Sequence, residues 1–170
     1  TEGNYHIEGL SNGKYTLYAQ DFSERKSAAE EIGKISIIKG KIFNLTNKLK
    51  NEAKNFNVQY IGFNGQMSEL AVPVNNGNSY LIYVGGKNLD VENIEVDFNS
   101  LYLSATPNTI TKLDYGSELS VFSFEVKINP KTPPGEYSLF VKDKNGETDV
   151  VVGGLTVESF VNPWNSYSVF

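Results

Sequence analysis

The chain has 170 residues, 39% of them hydrophobic and 21% charged, a balance that gives a folded globular chain and excludes a disordered tail. Its formal net charge of −5 comes without any cluster of Lys and Arg, so the counterion displacement that drives nucleic-acid binding has no surface to act from. Cysteine is absent, which removes disulfides, thiolate chemistry and cysteine-bound metals, and no apolar run approaches the roughly 20 residues of a membrane-spanning helix.

In chain order, "NYHIEGLSNGKYTLYA" (4–19) reads as two alternating strands joined by a turn, with Tyr5 and Ile7 on one face and Tyr15, Leu17 and Ala19 answering them. Gly13 is expected to supply a positive φ at this connection. Nothing earlier in the chain offers strands for this pair to join. The polar stretch "DFSERKSAAEEIG" (21–33) is expected to hold a helical turn or a loop, followed by strands "KISIIKG" (34–40) and "KIFNLTNKL" (41–49). Apolar periodicity lapses over "KNEAKNFN" (50–57). A first β-sandwich module at 1–50, a linker at 51–57, a second sandwich at 58–160 and an aromatic tail at 161–170 follow from that break.

Eight strand candidates fill the second module: 58–63, 68–74, 79–86, 92–98, 101–106, 119–128, 135–143 and 148–158. In "LSVFSFEVKI", Phe122, Phe124, Val126 and Ile128 form one face and Val121, Ser123, Glu125 and Lys127 the other. One face is expected buried and the other wet. Further on, Tyr137, Leu139 and Val141 form an inward face, and Asn145-Gly146 is the expected hairpin turn.

The residues that could carry chemistry are few. His6 is the only histidine, so it offers neither a multi-histidine metal site nor a catalytic triad with recognisable partners. Asp143, Asn145, Glu147 and Asp149 stand at alternate positions, as in part of a calcium loop, and Ca²⁺ is the cofactor weighed here against none. Strands flank them where a calcium loop has helices, and a hairpin turn is the plainer account. Asp90, Glu92, Glu95 and Asp97 read as solvated loop and strand positions. Trp164 and Tyr167, outside the strand pattern, are the candidate ligand-binding residues, since exposed aromatic rings stack on sugars. Asn44-Leu45-Thr46 matches the N-glycosylation pattern, a match close to chance in an Asn-rich chain.

Two stretches carry resemblances. "YLIYVGGKNLD" (80–90), "NPKTPPGEYSLFVKDKNGE" (129–147) and "VVVGGLTV" (150–157) resemble a bacterial immunoglobulin-like domain of the IPT/TIG kind, in which a Gly-Gly turn ends one strand and a Pro-Gly-x-Tyr strand leads into a hairpin. "GNYHIEGL" (3–10), "GKYTLYA" (13–19) and "ISIIKGKIFNL" (35–45) resemble the latter half of a carboxypeptidase regulatory-like, prealbumin-like domain, whose opening strand and loop would lie before Thr1. The resemblances imply an all-β chain of two tandem β-sandwich modules, the first incomplete and the second immunoglobulin-like. They imply a non-catalytic spacer or protein-interaction role in a secreted or cell-surface protein. The expected partner is another protein chain, or an upstream domain of the same precursor, engaged by strand complementation. A glycan is the alternative partner, and an accessory fragment of a secreted hydrolase the alternative role.

Overall fold

A computed structural model describes residues 7, 9–19, 30–38, 56–68 and 71–158. Strands are numbered here in chain order. β1 (Gly13–Ala19) and β2 (Glu30–Ile37) pair antiparallel as a two-stranded sheet, with a register shift between Leu17 and Tyr18. The remaining strands are β3 (Asn57–Phe63), β4 (Gln66–Ser68), β5 (Val72–Asn75), β6 (Ser79–Lys87), β7 (Glu95–Phe98), β8 (Leu103–Ala105), β9 (Thr111–Leu113), β10 (Ser120–Ile128), β11 (Gly135–Lys142) and β12 (Thr148–Glu158). They form two packed sheets. One has the order β4-β3-β6-β10-β8, with β9 also on β10, and the other the order β5-β12-β11-β7. All neighbours are antiparallel except β5, which runs parallel to β12. The expected all-β sandwich architecture is therefore what the chain adopts.

Alternation builds the core. Phe122, Phe124, Val126 and Ile128 of β10, Ile82 and Val84 of β6, and Leu139, Val141, Leu155 and Val157 of the facing sheet are all buried between the layers. Phe56 also belongs to this core, at 4% exposure, although it falls in the stretch read as a linker. Burial of such side chains contributes about 1.5–3 kcal/mol each, so this layer dominates the stability of the sandwich.

Several local expectations are corrected. Gly13 does not take a positive φ; it opens β1, and the left-handed glycine nearby is Gly9, at φ 76°. Ile7, Gly9 and Leu10 lie outside any strand, and β1 finds its partner in β2. Residues Glu30–Gly33, expected in a loop or helical turn, are already strand, because β2 opposes Glu30 and Glu31 to Ala19 and Tyr18. Val121 and Ser123, on the face of β10 expected to be wet, are 0% and 4% exposed. That face is covered locally: Val121 pairs with Gly85, and a Cβ built on Gly85 would meet the Met67 sulfur at 3.1 Å.

The Asn-Gly pair with positive φ at both residues is Asn64-Gly65, at 53° and 75°, in the two-residue connection between β3 and β4. This is the type I′ hairpin signature. At the β11–β12 connection only Gly146 is left-handed, at φ 83°. There Gly146 N donates to Asp143 O (3.1 Å) and Asp143 N to Glu147 O (2.9 Å), a wider turn closed by a glycine bulge. Gly85 and Gly86, at the end of the expected strand 79–86, sit inside β6, which runs on to Lys87, opposite a bulge in β3 between Val58 and Tyr60.

Candidate functional site

β11 turns Leu139 and Val141 inward, which leaves Ser138 and Phe140 on the outer surface of their sheet. Val150 of β12 pairs with Phe140 and shares this outer face, yet it is only 4% exposed. An apolar side chain on the far side of a sheet is buried only where something covers it, and β1 lies over this face. Tyr18 of β1 meets the Phe140 ring edge-on, with centroids 5.8 Å apart. Such a contact contributes about 0.5–1.5 kcal/mol beyond area burial.

β1 does not close down completely. A cleft of about 420 Å³ remains between Lys14, Tyr15, Thr16 and Tyr18 on one side and the outer face of the sandwich on the other. The sandwich wall consists of Phe140 and Val150, with Val152 of β12, Ser138, and Asn99 from the residue after β7. Its polar groups are fixed by backbone hydrogen bonds. Ser138 N donates to Asn99 Oδ1 (3.0 Å), Asn99 N to Ser138 O (3.2 Å), and Gly153 N to Ser138 Oγ (3.2 Å). Gly153 reaches Ser138 through the bulge of β12, where it adopts φ 62°. The Tyr15 hydroxyl donates to Ser11 O (2.9 Å), which fixes its ring at one end of the cleft. Burial, reinforced by the Glu31 carboxylate, raises the Tyr18 phenol above its ordinary pKa, so it stays a neutral donor.

The four oxygen-bearing residues of the β11–β12 hairpin have separate duties. Asp143 Oδ1 accepts from Asn145 N (2.9 Å) and Glu147 N (2.8 Å), and its Oδ2 accepts from Asn145 Nδ2 (2.9 Å), so this carboxylate organises the turn. Asp149 lies inside the sandwich at 0% exposure, where Oδ2 accepts from Val58 N (2.7 Å) in the bulge of β3. Its Oδ1 accepts from Val150 N (3.0 Å). Among the described residues no three histidine, aspartate or glutamate side chains are grouped as a cation site. His6, Asn44-Leu45-Thr46, Trp164 and Tyr167 lie outside the described residues.

Of the other acidic positions, Asp90 does gain a partner. Lys144 Nζ reaches its Oδ2 at 2.8 Å, tying the hairpin tip to the segment before β7. The hydrogen bonds from Lys144 and Asn93 hold the Asp90 carboxyl below the usual aspartate range. A folded-state pKa below the unfolded one adds stability that is complete above the unfolded value and fades as pH falls through the folded one. A carboxyl-resolved NMR titration is expected to find Asp90 titrating low, and Lys144→Ala is expected to move it up.

Among the described residues no helix is long and apolar enough to cross a membrane. No protein-family model matches the chain, and no curated protein matches its sequence.

Proposed function

We propose that the chain is a non-catalytic extracellular interaction module that accepts a β-strand from another polypeptide along β1. The observation that carries this reading is the contrast between β1 and the edges of the sandwich. Terminal strands β4, β8 and β9 have three residues each, and β5 and β7 have four. β5 carries Pro73, β9 carries Lys112, and β7 carries Glu95 and Asp97. Short, charged and proline-bearing edges resist pairing with foreign strands. β1 has seven residues, no proline and a single charge, Lys14, and among the described residues it pairs with β2 alone. A strand of that length, with one row of backbone groups unmatched among the described residues, is a template for β-augmentation.

An immunoglobulin-like reading of the sandwich supports the same role. Strand order β3-β6-β10-β8 against β5-β12-β11-β7 corresponds to A-B-E-D against a C-F-G sheet joined by a parallel strand at G. Tyr137, near the start of β11, donates to Pro133 O four residues upstream at 2.8 Å, as the tyrosine corner of such sandwiches does. The extracellular setting follows from the resemblance of 58–158 to IPT/TIG-type surface modules.

The test is to select peptides from a random heptamer library on the immobilised chain and map their contacts by amide NMR. Extended peptides that slow exchange along β1 are the expected outcome. Selected peptides that protect β5 or β7, or that leave β1 unchanged, would contradict the reading.

A further inference from the structure

Beyond strand addition, we propose that the cleft between β1 and the outer face of the β11–β12 sheet binds a short acidic saccharide. Its 420 Å³ falls at the small end of the range of small-molecule sites, roughly 300–1,000 Å³. The lining is partly aromatic, with Tyr15 and Tyr18 from β1 and, from the sandwich, Phe140, whose ring Tyr18 meets edge-on. Rings of this kind take the flat C–H face of a pyranose, whose apolar surface is wide enough to stack and whose rim is polar.

The polar groups decide the ligand's chemistry. Asn99 Oδ1 is already used by Ser138 N, which leaves the Asn99 amide nitrogen to donate. Ser138 Oγ already accepts from Gly153 N, and its hydroxyl hydrogen is available to donate. Lys14 brings three more donors and the only formal charge among these lining side chains. The nearby Glu31 is paired with Lys34 at 3.6 Å. A site whose uncommitted groups are donors, one of them cationic, selects a ligand rich in acceptors and negatively charged. A uronic-acid unit supplies both, with its carboxylate on Lys14 and its ring oxygens and hydroxyls on Asn99 and Ser138. The arrangement is built in advance, because Ser138 N donates to Asn99 Oδ1 while Asn99 N donates to Ser138 O.

The experiment titrates the folded chain, at low salt, with an oligogalacturonate, a neutral cello-oligosaccharide of equal length and an oligoglutamate peptide, followed by NMR. Shifts at Asn99, Ser138, Phe140 and Tyr18 with the uronate, and weaker binding of the neutral sugar, are expected. Asn99→Asp keeps an oxygen for Ser138 N while replacing the donor by a repelling carboxylate. It is expected to weaken uronate binding about tenfold or more with the melting temperature preserved, and Lys14→Met is expected to weaken it comparably. Equal binding of the two sugars, indifference to both variants, or no shifts at the cleft with any probe would overturn the proposal. Oligoglutamate binding as tight as the uronate would also overturn it, assigning the cleft to acidic peptides. None of these outcomes depends on whether a strand adds to β1.

Discussion

Gly86→Ala is expected to lower the stability of the sandwich by about 3 kcal/mol or more, while Gly85→Ala, one residue away, is expected to cost about 1 kcal/mol or less. A Cβ at Gly86 would overlap the Asn57 carbonyl oxygen and lie 2.9 Å from both the Asn57 carbonyl carbon and Val58 Cα. All three are backbone atoms of β3, held in place by the ladder to β6. They cannot move without giving up hydrogen bonds between two strands of the central sheet. At Gly85 the nearest atom to a new Cβ is Met67 Sδ at 3.1 Å, followed by Met67 Cε at 3.3 Å. These belong to the flexible end of an unbranched side chain, which can rotate away. Guanidinium denaturation of the two variants measures the difference. Similar losses at both positions would mean that β3 does not press on Gly86.

Asp149→Ala is expected to destabilise the fold by about 2–4 kcal/mol, a large share of the roughly 5–15 kcal/mol that holds a domain together. The carboxylate belongs to β12, and its bond to Val58 N reaches the opposite sheet at the bulge of β3. A bulge frees backbone groups from the ladder, and a buried N–H without an acceptor costs its full desolvation. Removing Asp149 leaves both Val58 N and Val150 N without the acceptor each now has. Asp149→Asn preserves an oxygen acceptor and is expected to lose less than Asp149→Ala. The ordering of the two variants, read from denaturation midpoints, separates hydrogen bonding from simple loss of packing. A harmless Asp149→Ala would remove the inter-sheet tie from the account.

Alternation in the longest strands made the sandwich legible from the amino acids. The Phe122-Phe124-Val126-Ile128 face of β10 and the Leu139-Val141 pair of β11 lie in the core where period-two reading places them. The failures have physical causes. β9, Thr111–Leu113, has three residues and no alternation to detect; its pairing with β10 is tertiary. Residues Glu30–Gly33 look polar and helix-forming, but pairing with β1 overrides a weak local preference. Asn145-Gly146 does lie in the expected turn between β11 and β12, organised there by the Asp143 carboxylate, whereas the tighter Asn64-Gly65 hairpin leads into β4, a strand too short to mark it. Spacing alone groups Asp149 with Asp143, whereas alternation along β12 sends it into the core.

The cleft was the least legible feature. Its two walls come from residues 14–18 and 99–152, and only folding brings them together. One signal was available in Phe140 and Val150, large apolar residues at positions that face away from the core. An outward-facing pair of this kind on an otherwise amphipathic sheet asks for a cover, and β1 lies over it.

The open edge of β1 is the claim on which the functional account stands, and amide hydrogen exchange of the isolated chain addresses it most directly. In an antiparallel pair every second residue turns its N–H away from the partner. The account predicts alternation along Gly13–Ala19, with amides bonded to β2 slow and those facing outward exchanging nearly as fast as in an unfolded chain. Uniformly slow exchange across all seven residues would mean that the outer row is already paired, leaving no place for an incoming strand.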